Sequence, residues 1–263
     1  MRLYWEVARR GYRRFATYRG ATAAGVFTNT VFGFLRGYVL LGVFRHRGEV
    51  GGLDAGEALT FVFVTQGFIA LVGAFSALDI SARIRTGDVV TDLYRPVDFQ
   101  AYWLAHDLGR AAFHGVFRGI PPVVIGAAAF DLRLPTSPAV WVAFAASTTL
   151  AVVASFGLRF LVSLSGFWLL DTRGVQNLSV IVLTFFSGLV LPIGFFPGWL
   201  ETLARALPYS ALAQVPVEVL LGRHHGPGLA GALAFQAAWA LALLFAGRRL
   251  LGAATRKLVV HGG

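Results

Sequence analysis

The stretch AVWVAFAASTTLAVVASFGLRFLVSLSGFWLL, residues 139–170, decides the fold. Its 32 residues contain one charged side chain, Arg159. As an α-helix the stretch would be ~48 Å long, whereas the hydrocarbon core of a bilayer is ~30 Å thick. An apolar helix of this length requires lipid as its solvent, so the chain is expected to be an integral membrane protein. The end of the stretch near residues 167–170 is expected to protrude from the bilayer or to kink.

The rest of the chain has the same apolar character. Of its 263 residues, 56% are hydrophobic and 14% are charged, whereas a soluble domain carries about 25% charged residues. The mean hydropathy is +0.67 and the formal net charge is +10. This composition excludes an ordinary soluble enzyme, a disordered chain and a simple nucleic-acid-binding protein. The chain has no cysteine, which excludes disulfides, thiolate-ligated metals and cysteine nucleophiles.

Six apolar runs are long enough to cross a bilayer, which takes about 20 helical residues. They cover residues 21–44, 58–80, 111–130, 139–170, 175–196 and 229–247. We therefore expect an all-α membrane protein with six transmembrane helices in a single domain, residues 1–263. No two runs repeat each other, so an internally duplicated transporter is not expected. The first run is too long for the apolar region of a signal peptide and is expected to remain in the mature protein.

Basic residues divide unequally between the two sides of the membrane that six spans define. With a cytoplasmic N-terminus, 15 Lys and Arg residues lie inside, five lie outside and three lie within spans. The positive-inside rule therefore predicts that both termini are cytoplasmic. The net charge of +10 is interpreted as this topological signal, and no nucleic-acid partner is expected.

Residues 1–19 place Tyr4, Val7, Phe15 and Tyr18 at helical spacing among several arginines. This pattern is typical of an amphipathic helix that lies along the inner membrane surface. Such a helix either anchors the topology on anionic lipid or transmits force from a cytoplasmic partner.

Residues 81–110, between the second and third runs, mix charges of both signs with apolar side chains such as Val89, Val90 and Leu93. Gly87 and Pro96 bracket a stretch of about two helical turns, which predicts a short helix with one apolar face. A purely solvated loop would not need those apolar residues. The segment is therefore expected either to rest on the bilayer or to dock another protein.

Four prolines interrupt the apolar segment that follows the fifth run, over residues 187–222. The prolines are Pro192, Pro197, Pro208 and Pro216. They leave pieces of about 5 to 12 residues, each too short to span a bilayer. We therefore expect residues 197–222 to form short re-entrant helices on the outer face.

A few polar residues lie within the apolar runs and are candidates for lining a transport pathway. They are Asn29, Arg36, Gln66, Arg159, Thr184 and Ser187. Interhelical hydrogen bonds also explain such residues, and extension of Arg36 to the outer interface is an alternative for that side chain. Arg159 requires a charged partner or a water-filled cavity. Pro121 and Pro122 predict a kink in the third run.

The chain lacks the motifs of a self-powered transporter or an enzyme. Its only lysine, Lys257, is outside any G-x-x-x-x-G-K-[ST] motif. The side chains of His224 and His225 diverge, and Ser187 has no base near it in the sequence, so neither a metal site nor a catalytic site is expected. Acidic residues fall at the ends of the runs, which disfavours proton coupling. These residues are Asp79, Asp107, Asp131 and Asp171.

Two blocks of motifs stand out in the sequence. The inner loop has the form R-x-G-D-x-x-x-x-L-x-R-P. Its residues are Arg85, Gly87, Asp88, Leu93, Arg95 and Pro96. The second block has the forms S-G-x-x-x-P, F-P-x-W-L and L-P-Y, followed by a late proline and L-G. Its residues are Ser187, Gly188, Pro192, Phe196, Pro197, Trp199, Leu200, Leu207, Pro208, Tyr209, Pro216, Leu221 and Gly222. Together the two blocks resemble those of type-2 ABC transporter permeases of the short, six-span bacterial subgroup.

The resemblance implies a permease that pairs with an identical or similar second permease in a bacterial inner membrane. Separate ABC ATPase subunits would bind ATP and Mg²⁺ and would dock on the coupling helix of the inner loop. The resemblance assigns this docking to Arg83, Arg85, Gly87, Asp88, Asp92, Leu93, Arg95 and Pro96. It assigns an outer gate to Pro192, Phe196, Pro197 and Pro208. The complex would export hydrophobic or amphipathic compounds, lipids or glycans. A non-transporting membrane anchor for another complex is the alternative.

Overall fold

The computed structural model describes residues 2–169 and 171–261, with side chains as far as Arg256 in the last helix. Over these residues the fold is helical, and its β-type pairing is limited to one bridge between Val50 and Leu53. The α-helices are α1 (Arg2–Ala16), α2 (Arg19–Phe44), α3 (Ala55–Leu71), α4 (Asp79–Thr86), α5 (Val89–Leu93), α6 (Phe99–His114), α7 (Ile120–Ala129), α8 (Pro138–Leu164), α9 (Arg173–Phe186), α10 (Gly198–Ala206), α11 (Gln214–Leu220) and α12 (Pro227–His261).

Among the described residues, four helical segments are long and apolar enough to cross a membrane. They are Arg19–Phe44, Phe99–Ala129, Pro138–Phe167 and Pro227–Arg256. The first is α2. The second joins α6 and α7 through a π-helical turn, the third extends α8 by a 3₁₀ turn, and the fourth is α12. Two further helices, α3 and α9, are apolar but shorter. The expectation of an all-helical membrane protein is thus confirmed, whereas only four of the six expected spans have full spanning length.

Two expected spans end earlier than the sequence suggested, and in both cases a glycine with positive φ follows the helix. The second run was expected to reach residue 80, but α3 ends at Leu71 and Gly73 adopts φ +65°. The fifth run was expected to reach residue 196, but α9 ends at Phe186 and Gly188 adopts φ +84°. Glycine reaches this conformation without a Cβ penalty, so it ends a helix even where the sequence stays apolar.

The expected loop over residues 81–110 is also shorter than predicted. Helix α6 begins at Phe99, where the Asp98 carboxylate accepts a hydrogen bond from the Ala101 amide at 2.7 Å. This N-cap satisfies a free backbone donor and starts the helix well before the apolar run at residue 111. Only residues up to 98 therefore remain in the connection between α3 and α6.

Helices α2 and α3 are antiparallel and define the two ends of the bundle. Near the start of α2, Asn29 Nδ2 donates to the carbonyl of Gln66 near the end of α3 at 2.9 Å. One end therefore carries α1, α4 and α5, and we call it the α4–α5 end. At the opposite end, the loop between α2 and α3 meets the segment around α10 and α11, where Gly51 packs against Gly194. We call it the α10–α11 end.

A π-helical turn at Gly115–Gly119 lies directly before the two prolines at which the sequence predicted a kink. Pro121 and Pro122 have no amide hydrogen, so they leave carbonyls of the preceding turn without their usual donors. The helix is locally wider at this turn. The widened turn lies directly against α3, because a Cβ on Gly67 would come within 2.7 Å of the Gly119 Cα atom.

The N-terminal amphipathic helix forms as expected, over Arg2–Ala16, and it packs on α6 as well as exposing polar residues. Val7 and Gly11 are its buried residues. A Cβ on Gly11 would overlap the His106 carbonyl, and one on Gly109 would overlap the Ala8 carbonyl. Two facing glycines thus bring the backbones of α1 and α6 into direct contact.

Candidate functional site

Helices α4 and α5, with the turn that follows them, form the inner connection that the sequence singled out; we call residues 79–96 the α4–α5 element. Gly87, at φ +83°, ends α4 and reverses the chain into α5. Asp92 is 7% exposed and holds the element together, because it pairs with Arg83 on α4 and with Arg95 at 3.4 Å. A buried carboxylate needs such partners to offset its desolvation.

The inner side of the α4–α5 element is anchored in an apolar cluster. Ile80 and Val89 are at most 2% exposed and pack with Phe99 of α6 and with Phe156 and Phe160 of α8. Partly buried residues of α12 pack against the same cluster. The element is therefore packed against α6, α8 and α12.

The outer side of the α4–α5 element exposes apolar and charged groups together. Tyr94 is 86% exposed and Val90 is also exposed. Five of the predicted coupling residues share this surface. They are Arg85, Gly87, Asp88, Arg95 and Pro96. A surface of this composition fits a protein partner better than open solvent.

The three remaining predicted coupling residues are less exposed to solvent. Asp92 is buried, whereas Arg83 and Leu93 are partly buried, so these side chains shape the element and do not form its surface. Tyr94 was not among the predicted coupling residues, although it is the variable residue of the L-x-R-P motif, between Leu93 and Arg95. Phe99 and Trp103, which lie in the same predicted loop, are buried in α6.

A buried ion cluster lies next to the α4–α5 element and joins three long helices. Asp107 of α6 is 2% exposed. It accepts hydrogen bonds from Arg110 Nε at 2.6 Å and from Arg159 Nη2 of α8 at 2.5 Å. Arg110 also donates to the carbonyls of Ala70 and Leu71 at 2.7 and 2.9 Å. The cluster therefore satisfies the free carbonyls at the end of α3 and ties that end to α6 and α8.

This cluster meets one expectation and corrects another. Arg159 was expected to need a charged partner or a cavity, and it has Asp107 as its partner. Asp107 was placed at the end of a span, but it lies buried inside the continuous helix Phe99–Ala129. The early start of α6 explains the error, because it adds three helical turns before the apolar run. Two guanidinium groups share one carboxylate here.

The other predicted pathway residues do not meet on one surface. Asn29 and Gln66 bond between α2 and α3 at 2.9 Å. Arg36 is partly buried and donates to the Leu189 carbonyl at 2.8 Å. Thr184 bonds within α9, to Val180, at 2.6 Å. Their observed contacts are those of helix packing.

The proline-rich segment forms the short helices that the sequence predicted, at the α10–α11 end. Pro192 precedes a 3₁₀ turn at Ile193–Phe195, and Pro197 is the N-cap residue of α10. Phe196 stacks on Phe185 of α9 with ring centroids 5.0 Å apart. Pro208 is buried after α10. The predicted gate residues thus border α9 and α10, both at this end of the bundle.

A polar network that the sequence did not reveal holds this segment together. Ser187 is buried, and its carbonyl accepts from the Gln214 amide at 2.9 Å. Gln214 Oε1 accepts from the Ile193 amide at 3.0 Å, and its Nε2 donates to Glu218 Oε1 at 2.8 Å. Glu218 also bonds to Arg205 at 2.9 Å. Only the folded chain brings these residues together, because they are separated in sequence.

The network lowers the pKa of Glu218 despite the burial of its carboxyl group. Burial by itself would raise this pKa, but a hydrogen bond with His224, the charge of Arg205 and a hydrogen bond from Gln214 stabilise the carboxylate. The result is a pKa lowered from 4.5 to about 2. Glu218 is therefore ionised at neutral pH. The described residues contain no group of three or more potential ligands that could hold a metal ion.

The fold is that of a multi-pass helical membrane protein, with the exposed α4–α5 element at one end and the short helices α10 and α11 at the other. A family model described as ABC-2 family transporter protein matches residues 30–262. The chain belongs to this family, which confirms the resemblance seen in the sequence. Among curated proteins, none matches the chain significantly. Membership makes the chain a membrane component of an ABC transporter, a class that works with ABC ATPase partners.

Proposed function

We propose that the chain is the permease subunit of an ATP-driven exporter of hydrophobic or amphipathic compounds. Separate ABC ATPase subunits bind ATP and Mg²⁺, and the α4–α5 element is the coupling helix on which they dock. The single observation that carries this proposal is the exposed part of that element, where Tyr94 and Val90 are exposed on the same short segment as the charged residues Asp88 and Arg95. An aromatic side chain surrounded by charges is a common anchor in protein interfaces.

The attachment of the α4–α5 element supports a role in coupling. Asp92 fixes its shape, and Val89 and Ile80 fix it to α6 and α8. The Asp107 cluster then links α6 and α8 to the end of α3. A movement of the element is therefore transmitted to three long helices through packed side chains and buried hydrogen bonds.

The topology belongs to the same proposal. Helices α3 and α9 complete six membrane segments, both termini are cytoplasmic, and the membrane is a bacterial inner membrane. Basic residues of α1, α4 and α12 lie at the α4–α5 end, which supports a cytoplasmic position for that end. A second permease subunit, identical or similar, completes the complex.

Co-purification with the ATPase tests this function. The tagged chain is expressed with the ABC ATPase encoded beside it, and the retained ATPase is identified by the peptide that contains its G-x-x-x-x-G-K-[ST] motif. Loss of an interface anchor costs at least 2 kcal/mol, so the double variant Tyr94→Ala, Asp88→Ala should lower ATPase retention about 30-fold. The variant Trp199→Ala removes an exposed aromatic residue from α10 and is the matched control.

Two results would overturn the proposal. One is the absence of any retained ATPase with the unaltered chain. The other is equal retention by the Tyr94→Ala, Asp88→Ala variant and the control when both elute as monodisperse particles. If the ATPase is retained but no compound stimulates its hydrolysis, and a polar linker in place of residues 197–222 has no effect, the chain is a membrane anchor and not an exporter.

A further inference from the structure

A cleft at the α4–α5 end runs between α4 and α9 into the bundle. Its outer part has a volume of 560 Å³ and is lined by Arg85 and Arg173 among other residues. Its inner part has a volume of 130 Å³ and reaches Arg159 and Asn177. Both parts are lined by Gln176, and by Ala77 of the connection before α4, so they adjoin. We call the two parts together the α4–α9 cleft.

Positive charge lines the α4–α9 cleft from its mouth to its inner end. Asp79 at the mouth forms an ion pair with Arg14 of α1. Asp171 Oδ1 lies 3.9 Å from Arg173 Nε. Arg85 has no carboxylate within ion-pair distance among the described residues. Arg159, at the inner end, shares its only carboxylate partner with another arginine. The cleft therefore offers guanidinium groups that an added anion can neutralise.

A bound anion would be stabilised most strongly at the inner end of the cleft. Asp107 carries one negative charge against the two positive charges of Arg110 and Arg159, so the buried cluster has a net charge of +1. An unbalanced buried charge is costly, and a bound anion would lower that cost. Asn177 lines the same space and can donate hydrogen bonds, whereas the Ser163 hydroxyl already donates to the Arg159 carbonyl at 2.8 Å. A phosphate or carboxylate group fits this combination of cations and neutral donors.

Apolar residues complete the lining and point to an amphiphile. Leu169 and Ile84 line the outer part of the cleft, and Phe75, Val180 and Leu183 line the inner part. Phe75 is exposed, as are the apolar residues on the outward side of α9. An acyl chain can therefore extend along α9 while its headgroup lies among the arginines.

We infer that the α4–α9 cleft binds the anionic headgroup of an amphipathic molecule, with Arg85 and Arg173 at the entry and Arg159 at the inner end. The inference rests on the proposed function, because it narrows the exported compounds to amphiphiles with a phosphate or carboxylate headgroup. The same chemistry is found in an anionic membrane lipid that is bound but not exported, and the experiment below separates the two sources.

Calorimetric titration of the full chain in non-ionic detergent micelles measures this binding. The probes are dioctanoyl phosphatidate, dioctanoyl phosphatidylcholine and dioctanoylglycerol, which share acyl chains and differ in headgroup. One hydrogen-bonded charge contact contributes about 1.5–3 kcal/mol, so phosphatidate should bind at least about tenfold more tightly than the other probes. Equal binding of the three probes to the unaltered chain would overturn the inference.

Arginine variants test whether the preference for phosphatidate arises in the α4–α9 cleft. Arg159→Gln should abolish the preference for phosphatidate, and the double variant Arg85→Gln, Arg173→Gln should lower it about tenfold. The double variant Arg45→Gln, Arg47→Gln removes the same charge from exposed positions at the other end and should keep the preference. If Arg159→Gln does not fold, Arg85→Gln, Arg173→Gln decides the question, since both of its residues are exposed. An unchanged preference in that variant would contradict the inference.

An ATPase assay of the complex distinguishes an exported amphiphile from a membrane lipid that only binds. Stimulation of ATP hydrolysis by phosphatidate, but not by dioctanoylglycerol, supports binding as an exported substrate. Binding without stimulation supports the cleft as a lipid site and counts against the narrowed substrate class. Failure of the proposed function is seen separately, as loss of ATPase co-purification, which does not involve the probes.

Discussion

Asp107 of α6 and Arg159 of α8 form a buried, two-pronged ion pair, with Nη2 to Oδ2 at 2.5 Å and Nη1 to Oδ1 at 3.2 Å. Arg110 joins the same carboxylate and also bonds to two carbonyls at the end of α3. One carboxylate therefore links α6 and α8, and through Arg110 the end of α3. Removal of Asp107 would leave two buried guanidinium groups without a counter-charge.

The first prediction concerns the stability of this cluster. Asp107→Asn leaves Arg110 and Arg159 without a counter-charge, and breaking a buried pair in this way costs about 3–5 kcal/mol. We expect a lower thermal-unfolding midpoint in detergent and a smaller yield of monodisperse protein. The matched control is Asp131→Asn, because Asp131 is exposed at the other end of the same continuous helix.

A double-mutant cycle separates the pair from its surroundings. Asp107→Asn together with Arg159→Gln should destabilise the chain by less than the sum of the two single variants, since each single variant already breaks the same contact. Full additivity, or equal midpoints for Asp107→Asn and Asp131→Asn, would show that the pair does not contribute as the geometry indicates.

The second prediction concerns the docking of α1 on α6. Gly109→Ala places a Cβ atom against the Ala8 backbone. Overpacking costs about 1–3 kcal/mol, which is enough to raise the opening of this contact about tenfold. Because the chain has no cysteine, the opening can be followed by maleimide labelling of Val7→Cys, a position that is buried against α6.

Two controls accompany that measurement. Gly20→Ala should leave the labelling of Val7→Cys slow, because nothing lies within 4 Å of a Cβ at Gly20. Trp5→Cys should react rapidly in every background, since Trp5 is exposed. Slow labelling of Val7→Cys in the Gly109→Ala chain would mean that α1 does not dock through the two glycines.

The third prediction concerns pH. The pKa of Glu218 lies at about 2 in the folded chain, against an ordinary value of 4.5. A carboxylate with a lowered pKa stabilises the fold above its unfolded-state pKa, and this contribution is lost as the pH falls towards the folded-state value. The shift corresponds to at most about 3 kcal/mol.

A comparison of the unaltered chain with Glu218→Gln isolates that contribution. The stability difference between them should be constant above about pH 5 and should shrink as the pH falls from about 4.5 towards about 2. A difference that grows on acidification would have the wrong sign for this network.

Much of the fold could be predicted from the sequence because helices that cross a membrane require long apolar runs. Each of the six apolar runs contains a helix, the basic N-terminal segment forms α1, and the prolines divide residues 187–222 into short pieces. The ends of α3 and α9 could not be predicted in the same way. Gly73 and Gly188 end these helices through their backbone conformation, and hydropathy does not report that property.

Less of the candidate site could be predicted. The charged and apolar inner loop marked the α4–α5 element, and Arg159 required a partner. Asp92 is buried and holds that element together, whereas Tyr94 is exposed on it. This difference depends on the three-dimensional packing. The partner of Arg159 lies 52 residues away in the chain. Such long-range pairs are not visible in a single sequence.

Photocrosslinking at Tyr94 in the complex with the ABC ATPase tests the central claim most directly. A photoreactive phenylalanine analogue at Tyr94 should capture the ATPase subunit, and the same analogue at Trp199, at the other end of the bundle, should not. The captured protein is identified by the peptide that contains its G-x-x-x-x-G-K-[ST] motif. Capture from Trp199 and not from Tyr94, or capture from neither position in an ATPase-active complex, would contradict docking through the α4–α5 element.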